Sequence, residues 1–469
     1  MGRKKELVFN TLIIGLGKFS TQIVNLLLLP LYTSLLSTKE YGLFDLFYTI
    51  GAFAIPFITL LFEESMFRFL IDCKNEDEKN NVLSQTFIFI IRSTLIITLI
   101  LTIISVVTKS LYVFVFLVYL ISNIILCLKN AALRGLGKIK EFSISNFLGS
   151  AVVILLNIFF IAVIKCGFIG LILSNVIANI TISIMYFIKA DIFKNIQLKN
   201  KDPKLIKNML NYSIPLIPNS LSWNIINLSD RFIISTTLGT GSNGIYSIAN
   251  KFPNFLDSLY GFFYTAWKES SAKAIKDNDH EEFYNSIKKY LHNILYSMII
   301  IIICILPFVF DLLIKKDFSK SYIYIPVLLI AMYFNNMAGF IGGIFTAYKD
   351  TKVMGLTTSI SAVLNILINI LLIKHIGLWA ASISTLISTL FVYIYRTIKV
   401  KKHINIDDKI SFIQFALLFL ALCSYYKQNF LLNIFVLLIC GIYSLYLNRE
   451  MIQEVFYNIS MKFKRTNIK

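Results

Sequence analysis

The chain has 469 residues, of which 57% are hydrophobic and only 15% charged, and its mean hydropathy is +0.71. A soluble protein needs a more polar surface, and a disordered scaffold would not carry 40 Phe and 24 Tyr, so both classes are excluded. The net charge of +19 fits basic inner loops of a membrane protein. No basic stretch is interleaved with stacking aromatics in a soluble segment, so nucleic acid is not expected as a partner.

In chain order, Met1-Gly2-Arg3-Lys4-Lys5 precedes an apolar stretch running from Leu7 to about Leu36. It has no small-residue cleavage site, so it reads as a retained first helix. Long apolar runs then recur at bilayer length. They give fourteen spans, roughly 7–34, 42–64, 82–107, 111–130, 142–164, 168–189, 210–238, 244–267, 289–313, 321–347, 353–373, 377–398, 410–426 and 429–447. An even count puts both termini on one side. With the N-terminus inside, inner segments hold 33 of the 45 Lys and Arg and outer turns hold 8. Basic residues stay on the cytoplasmic side, so the termini are cytoplasmic. Outer loops are short, and Lys315-Lys316 is the strongest local exception. The longest inner connections, about 190–209 and 268–288, are cytoplasmic. The first is Lys-rich, contains Pro203 and reads as a linker.

The six cysteines are scattered, without a Cys-x-x-Cys, and read as small packing residues. The four histidines are dispersed as well, so no metal site is expected from sequence neighbours.

The two halves resemble each other. Leu36 with Tyr41-Gly42-Leu43-Phe44 recurs as Leu238 with Asn243-Gly244-Ile245-Tyr246. Lys165 through Gly170 recurs as Lys374 through Ala380, followed by Ser174 or Ser384. Lys138–Asn157 matches Lys349–Asn369. Six spans per repeat is an even number, so both halves enter from one side and the pseudo-twofold axis lies along the membrane normal. The expected fold is an all-α membrane protein of two six-helix bundles, residues 1–202 and 203–402. Residues 403–469 add two further spans and a basic cytoplasmic tail. The two extra spans carry no charge in their interiors and are expected at the periphery.

Charges inside a bilayer are costly and usually line a cavity. Lys18, Gln22 and Asn25 share a face of span 1. Asp45 lies in the first turns of span 2, with Glu63 and Glu64 at its end, and Arg92 in span 3. Span 7 carries Ser220, Asn224, Asn227 and Arg231 as one stripe, with Asp230 adjacent. Span 8 carries Lys251, Asn254 and Asp257. The alternative for each charge is snorkelling or a local ion pair, such as Asp230 with Lys251 or Arg92 with Asp45. Pro30, Pro56, Pro215 and Pro218 should kink their spans and free carbonyls. Gly339-x-x-x-Gly343 in span 10 reads as close helix packing.

On Asn10 through Gly17, Leu29-Pro30-Leu31-Tyr32-Thr33, Glu40-Tyr41-Gly42-Leu43 and Glu64-Ser-Met-Phe-Arg68-Phe69 the chain resembles a known family. Asp230-Arg231-Phe232-Ile233, Gly244-Ile245-Tyr246-Ser247 and Ala249-Asn250-Lys251 extend the likeness, as do Leu133-Arg134-Gly135 and Tyr348-Lys349. It is similar to the polysaccharide transporters of the multidrug/oligosaccharidyl-lipid/polysaccharide exporter (MOP) superfamily, and most to Wzx-type flippases. The resemblance covers about residues 7–400. It implies a flippase for an undecaprenyl-pyrophosphate-linked oligosaccharide of O-antigen, capsule or lipopolysaccharide type. It implies a bacterial inner membrane, alternating access and no cofactor beyond a coupling H⁺ or Na⁺. A polymerase and a chain-length regulator of the same pathway would be partners, with membrane lipid. By position Lys18, Arg231, Lys251 and Arg92 match lumenal cations that would bind the pyrophosphate. Gln22, Asn25, Asn224, Asn227 and Asn254 would contact sugar. Asp45, Glu63, Glu64, Asp230 and Asp257 are the ion-coupling candidates, although these acids could instead neutralise the cations. A multidrug exporter of the same superfamily and a peptidoglycan-precursor flippase are the rivals. An enzyme is disfavoured, because sugar chemistry needs a sizeable outer domain and every outer loop is short.

Overall fold

The computed structural model describes residues 26–196, 202–275, 277–406 and 411–453. The described residues contain helices and no strand. In order they are α1 (Leu29–Leu35), α2 (Thr38–Thr59), α3 (Phe62–Asp72), α4 (Glu76–Thr108), α5 (Leu111–Gly135), α6 (Ile139–Asn157) and α7 (Gly167–Lys189). There follow α8 (Pro203–Ser213), α9 (Ile217–Thr237), α10 (Thr240–Ala249), α11 (Lys251–Ala274), α12 (His280–Leu313), α13 (Ile325–Ala347), α14 (Thr351–Ile376), α15 (Trp379–Val400), α16 (Phe412–Lys427) and α17 (Phe430–Leu447). Ten helices among the described residues are long and apolar enough to cross a membrane, and α16 is a shorter apolar helix. Outward faces remain greasy, as on α4 at Leu95, Ile96, Leu99 and Val107, which suits lipid rather than water. The sequence reading puts spans 7 and 8 on α9 and α11, which fall outside those ten because their polar residues dilute them. Residues 7–25 of span 1 lie outside the described residues.

The chain forms two compact units. The first holds residues up to Ser247 together with Lys316–Phe318, and the second holds the remainder. In the first, a core of Phe62, Met66, Leu83, Ile124, Leu133 and Tyr186 joins α3, α4, α5 and α7. The second membrane helix is interrupted. Leu60 and Leu61 both take left-handed backbone angles (φ 51° and 52°), separating α2 from α3. Such angles cost a branched L-residue about 1–2 kcal/mol each, so surrounding packing must hold them. One turn earlier Pro56 has no N–H for the Ala52 carbonyl. The Asn224 amide of α9 donates to that carbonyl at 3.2 Å.

In the second unit α11, α13, α14 and α15 pack together. The Gly339/Gly343 pair of α13 does serve close packing. The neighbours are aromatic side chains: a Cβ at Gly339 would meet the Tyr260 hydroxyl at 2.7 Å, and one at Gly343 the Trp267 Nε1 at 2.4 Å. That Nε1 donates to the Phe340 carbonyl at 2.9 Å. The two extra helices, α16 and α17, pack on α12 and on each other. Phe412, Phe415, Phe419, Leu431 and Phe435 stay exposed on them.

Candidate functional site

The first unit contains a buried charged web. Its foundation is the start of α2. Ser37 and Glu40 form a reciprocal capping box, with Glu40 N–H donating to Ser37 Oγ at 3.2 Å and Ser37 N–H to Glu40 Oε2 at 2.8 Å. This fixes the helix start and sets Gly42 and Asp45 on the following turns. Gly239, at φ +88°, turns the chain from α9 into α10. There α2 and α10 cross on their glycines. A Cβ on Gly42 would lie 1.8 Å from the Thr240 carbonyl oxygen, and one on Gly244 would lie 2.1 Å from that of Thr38. No side chain fits at either position. Gly42 and Gly244 are the corresponding residues of the two sequence repeats, so the repeats meet here at their own equivalent positions.

Asp45 lies beside this crossing, with only 8% of its surface exposed. Ser247 Oγ donates to its Oδ1 at 2.6 Å, and Asn243 Nδ2 to its Oδ2 at 3.3 Å. The same Asn243 amide donates to the Gly42 carbonyl at 3.0 Å. From α9, Arg231 Nε donates to Asp45 Oδ2 at 3.1 Å, and Nη1 donates to the Asn227 carbonyl at 3.3 Å. Arg231 is also 8% exposed. Asp230 is buried and accepts from the Tyr246 hydroxyl at 3.3 Å, and the Tyr246 ring centre is 5.9 Å from the guanidinium carbon. Three helices thus converge on one ion pair. Breaking such a buried pair by removing one partner costs about 3–5 kcal/mol.

The structure brings Asp45, Asp230 and Arg231 together, with Asn224 and the exposed Asn227 on the same helix. Asp45 takes Arg231 as its cation; Arg92 is exposed on α4. Glu64 pairs with Arg134 at 3.3 Å, and Glu63 is buried with Oε2 unpartnered. Lys251, Asn254 and Asp257 lie on α11, with Asn254 exposed and the other two half-buried. Lys18, Gln22 and Asn25 lie outside the described residues. Asn243, Tyr246 and Ser247 were quoted for the repeat and the family likeness but not as site residues. Tracing the Gly42 repeat to its partner would have found them. Two cations at the ends of apolar runs are buried. Lys129 on α5 donates to Asn146 Oδ1 at 3.2 Å. Arg396 on α15 donates to Thr357 Oγ1, the Ala338 carbonyl, Thr358 Oγ1 and the Met354 carbonyl at 3.0, 3.0, 3.1 and 3.4 Å. Among the described residues neither has a carboxylate partner.

The family model described as polysaccharide biosynthesis protein matches residues 7–267, which contain the whole web. The MatE model matches residues 215–371. An uncharacterized membrane protein of Methanocaldococcus jannaschii is 23% identical over 303 residues, covering 61% of this chain and 71% of that protein. An inward-facing multidrug resistance MATE family transporter of the MOP superfamily superposes with a TM-score of 0.68 at 16% identity, covering 88% of this chain and 99% of that one. The lipid II flippase MurJ, in an inward closed conformation, gives 0.67 at 17% identity, covering 94% and 100%. The fold is that of these membrane transporters.

Proposed function

The chain belongs to the polysaccharide biosynthesis protein family, and on that premise we propose that it is a flippase for an undecaprenyl-pyrophosphate-linked oligosaccharide. It moves an O-antigen, capsule or related repeat unit from the cytoplasmic to the outer leaflet of a bacterial membrane. The observation that supports this most is the family match over more than half the chain, enclosing a membrane-buried arginine with donors to spare. Carrying a sugar-diphosphate head through hydrocarbon would strip many polar groups of water at several kcal/mol each. Arg231 with Asn224 and Asn227 of α9 in the first unit, and Lys251 with Asn254 of α11 in the second, each supply substitutes. The isoprenoid tail stays in lipid. One of the carboxylates Asp45, Glu63, Glu64, Asp230 and Asp257 carries the H⁺ or Na⁺ that drives the cycle. A polymerase and a chain-length regulator act on the delivered unit.

The test is reconstitution. Vesicles carrying the purified protein and this lipid-linked oligosaccharide are challenged with an impermeant glycan-modifying reagent. The protein should make the inner-leaflet pool reactive. Reactivity equal to protein-free vesicles refutes the reading. A multidrug exporter is the second reading, favoured by the MatE match over 215–371, and drug efflux in the same vesicles would select it. Rescue of cells lacking their lipid II flippase would select a peptidoglycan-precursor role.

A further inference from the structure

We infer that Asp45 is a built-in stand-in for the cargo's phosphate: it occupies Arg231 when the site is empty, and an arriving diphosphate displaces it and releases the α2–α10 crossing. The identity of the cargo rests on the flippase reading; the exchange itself rests on the geometry of the web.

The guanidinium is only partly engaged. Arginine–carboxylate pairs are frequently bidentate, with two parallel N–H groups on one carboxylate. Arg231 gives Asp45 a single N–H, from Nε, at 3.1 Å. Nη1 reaches the Asn227 carbonyl of its own helix, and Nη2 has no partner among the described residues. An open fork edge is therefore held one turn from the exposed Asn227. A diphosphate offers more charge and more acceptor oxygens than a carboxylate, and can take both edges of the fork.

Losing the arginine matters to the crossing because of what else holds Asp45. Its remaining partners, Ser247 and Asn243, both come from α10 and are neutral. They orient the carboxylate but cannot balance its charge. A buried carboxylate stripped of its cation must regain water. The route to water is for α2 and α10 to part. The contact there is glycine against backbone, joined by the hydrogen bonds of Asn243 to the Gly42 carbonyl and of Asn243 and Ser247 to Asp45, which parting must break. Ligand binding and helix separation thus become one event.

A monovalent anion such as chloride brings no more charge than the carboxylate it would replace and no pair of acceptor oxygens for the fork, so it does not displace Asp45, whereas a multiply charged phosphate does.

The experiment uses the full-length chain in lipid nanodiscs, with native cysteines replaced and spin labels at the exposed Tyr48 on α2 and the half-buried Ser242 on α10. Inorganic pyrophosphate is the probe and chloride at equal ionic strength the control. In the unmodified web, pyrophosphate should lengthen the label distance and chloride should not. Asp45→Asn should bind pyrophosphate about tenfold or more tightly, because no carboxylate competes for Arg231, and its label distance should not change with ligand, because no stripped carboxylate needs water. Ser247→Ala, which leaves the ion pair untouched, should raise the affinity by a smaller factor and serves if Asp45→Asn does not fold. Equal affinity in unmodified protein, Asp45→Asn and Ser247→Ala, or a label distance that pyrophosphate lengthens as much in Asp45→Asn as in the unmodified web, overturns the exchange. If pyrophosphate opens the crossing but vesicles flip no lipid-linked oligosaccharide, the exchange stands and the cargo assignment falls. If vesicles flip the lipid while pyrophosphate neither binds nor moves the labels, the exchange falls and the flippase stands.

Discussion

Gly42→Ala adds one methyl group at the tightest place in the first unit. Its Cβ would lie 1.8 Å from the Thr240 carbonyl oxygen and 2.9 Å from the Gly244 nitrogen. Restoring an ordinary separation of about 3.4 Å requires α2 and α10 to part by about 1.6 Å, since both obstacles are backbone. That shift would stretch the 2.6 Å Ser247–Asp45 bond to about 4.2 Å and the Asn243 contact further, beyond hydrogen-bond range. Alanine favours a helix over glycine by about 1 kcal/mol, so without this clash the substitution would stabilise. Against it stand overpacking, about 1–3 kcal/mol, and disruption of a buried ion pair, about 3–5 kcal/mol. The expected net loss is about 3–7 kcal/mol. Thermal unfolding in detergent would show it as a lowered midpoint, and Gly244→Ala should behave alike because its Cβ meets the Thr38 carbonyl at 2.1 Å. A Gly42→Ala protein as stable as the parent would refute both the crossing and the account of what holds Asp45.

Asn224→Ala should cost about 1 kcal/mol by orphaning the Ala52 carbonyl, and should cost less when Pro56→Ala restores the helix's own N–H; an additive double-mutant cycle would contradict this. Asp202 caps α8: the Leu205 N–H and the Asn81 amide, each at 3.0 Å, hold its carboxyl below the usual carboxylate range. A depressed value means that its contribution is complete above the unfolded value of about 3.9 and is lost as pH falls through the lower folded one. Asp202→Ala should cost about 1 kcal/mol near neutrality, and that difference from the parent should shrink in acid. Gly343→Ala should destabilise the second unit by about 1–3 kcal/mol by pushing the Trp267 ring from its notch, read as a change in tryptophan emission. Cysteine at the exposed Lys401 should label only from the cytoplasm, and at Lys316 only from outside.

Much of the architecture is legible in the sequence because apolar run length and loop charge each report on the bilayer directly. Run length and loop charge do not reveal that Lys129 and Arg396 are buried, since a cation at the end of an apolar run looks identical whether it leaves the helix bundle or turns into it. The site was legible as membership and illegible as pairing. Asp45 and Arg231 each stood out as charges in apolar surroundings, yet 186 residues separate them, and helical periodicity gives a residue's face without its neighbour. Pairing Asp45 with Arg92 joined nearby spans, whereas the chain joins spans two and seven. The repeat carried the missing information. Residues close to a twofold axis meet their own equivalents, so the correspondence of Gly42 with Gly244 already implied that α2 and α10 could touch. Asn243 and Ser247 follow from that contact.

Arg396 gives the second unit a different kind of joint. Its guanidinium draws α13, α14 and α15 together through two carbonyls and two hydroxyls. A guanidinium keeps its proton throughout the range proteins experience, and carbonyls and hydroxyls have none to gain there. This three-helix clasp holds its cation with neutral acceptors, so salt has no ion pair to screen in it, and peptides of α14 and α15 should exchange deuterium equally fast at low and high salt.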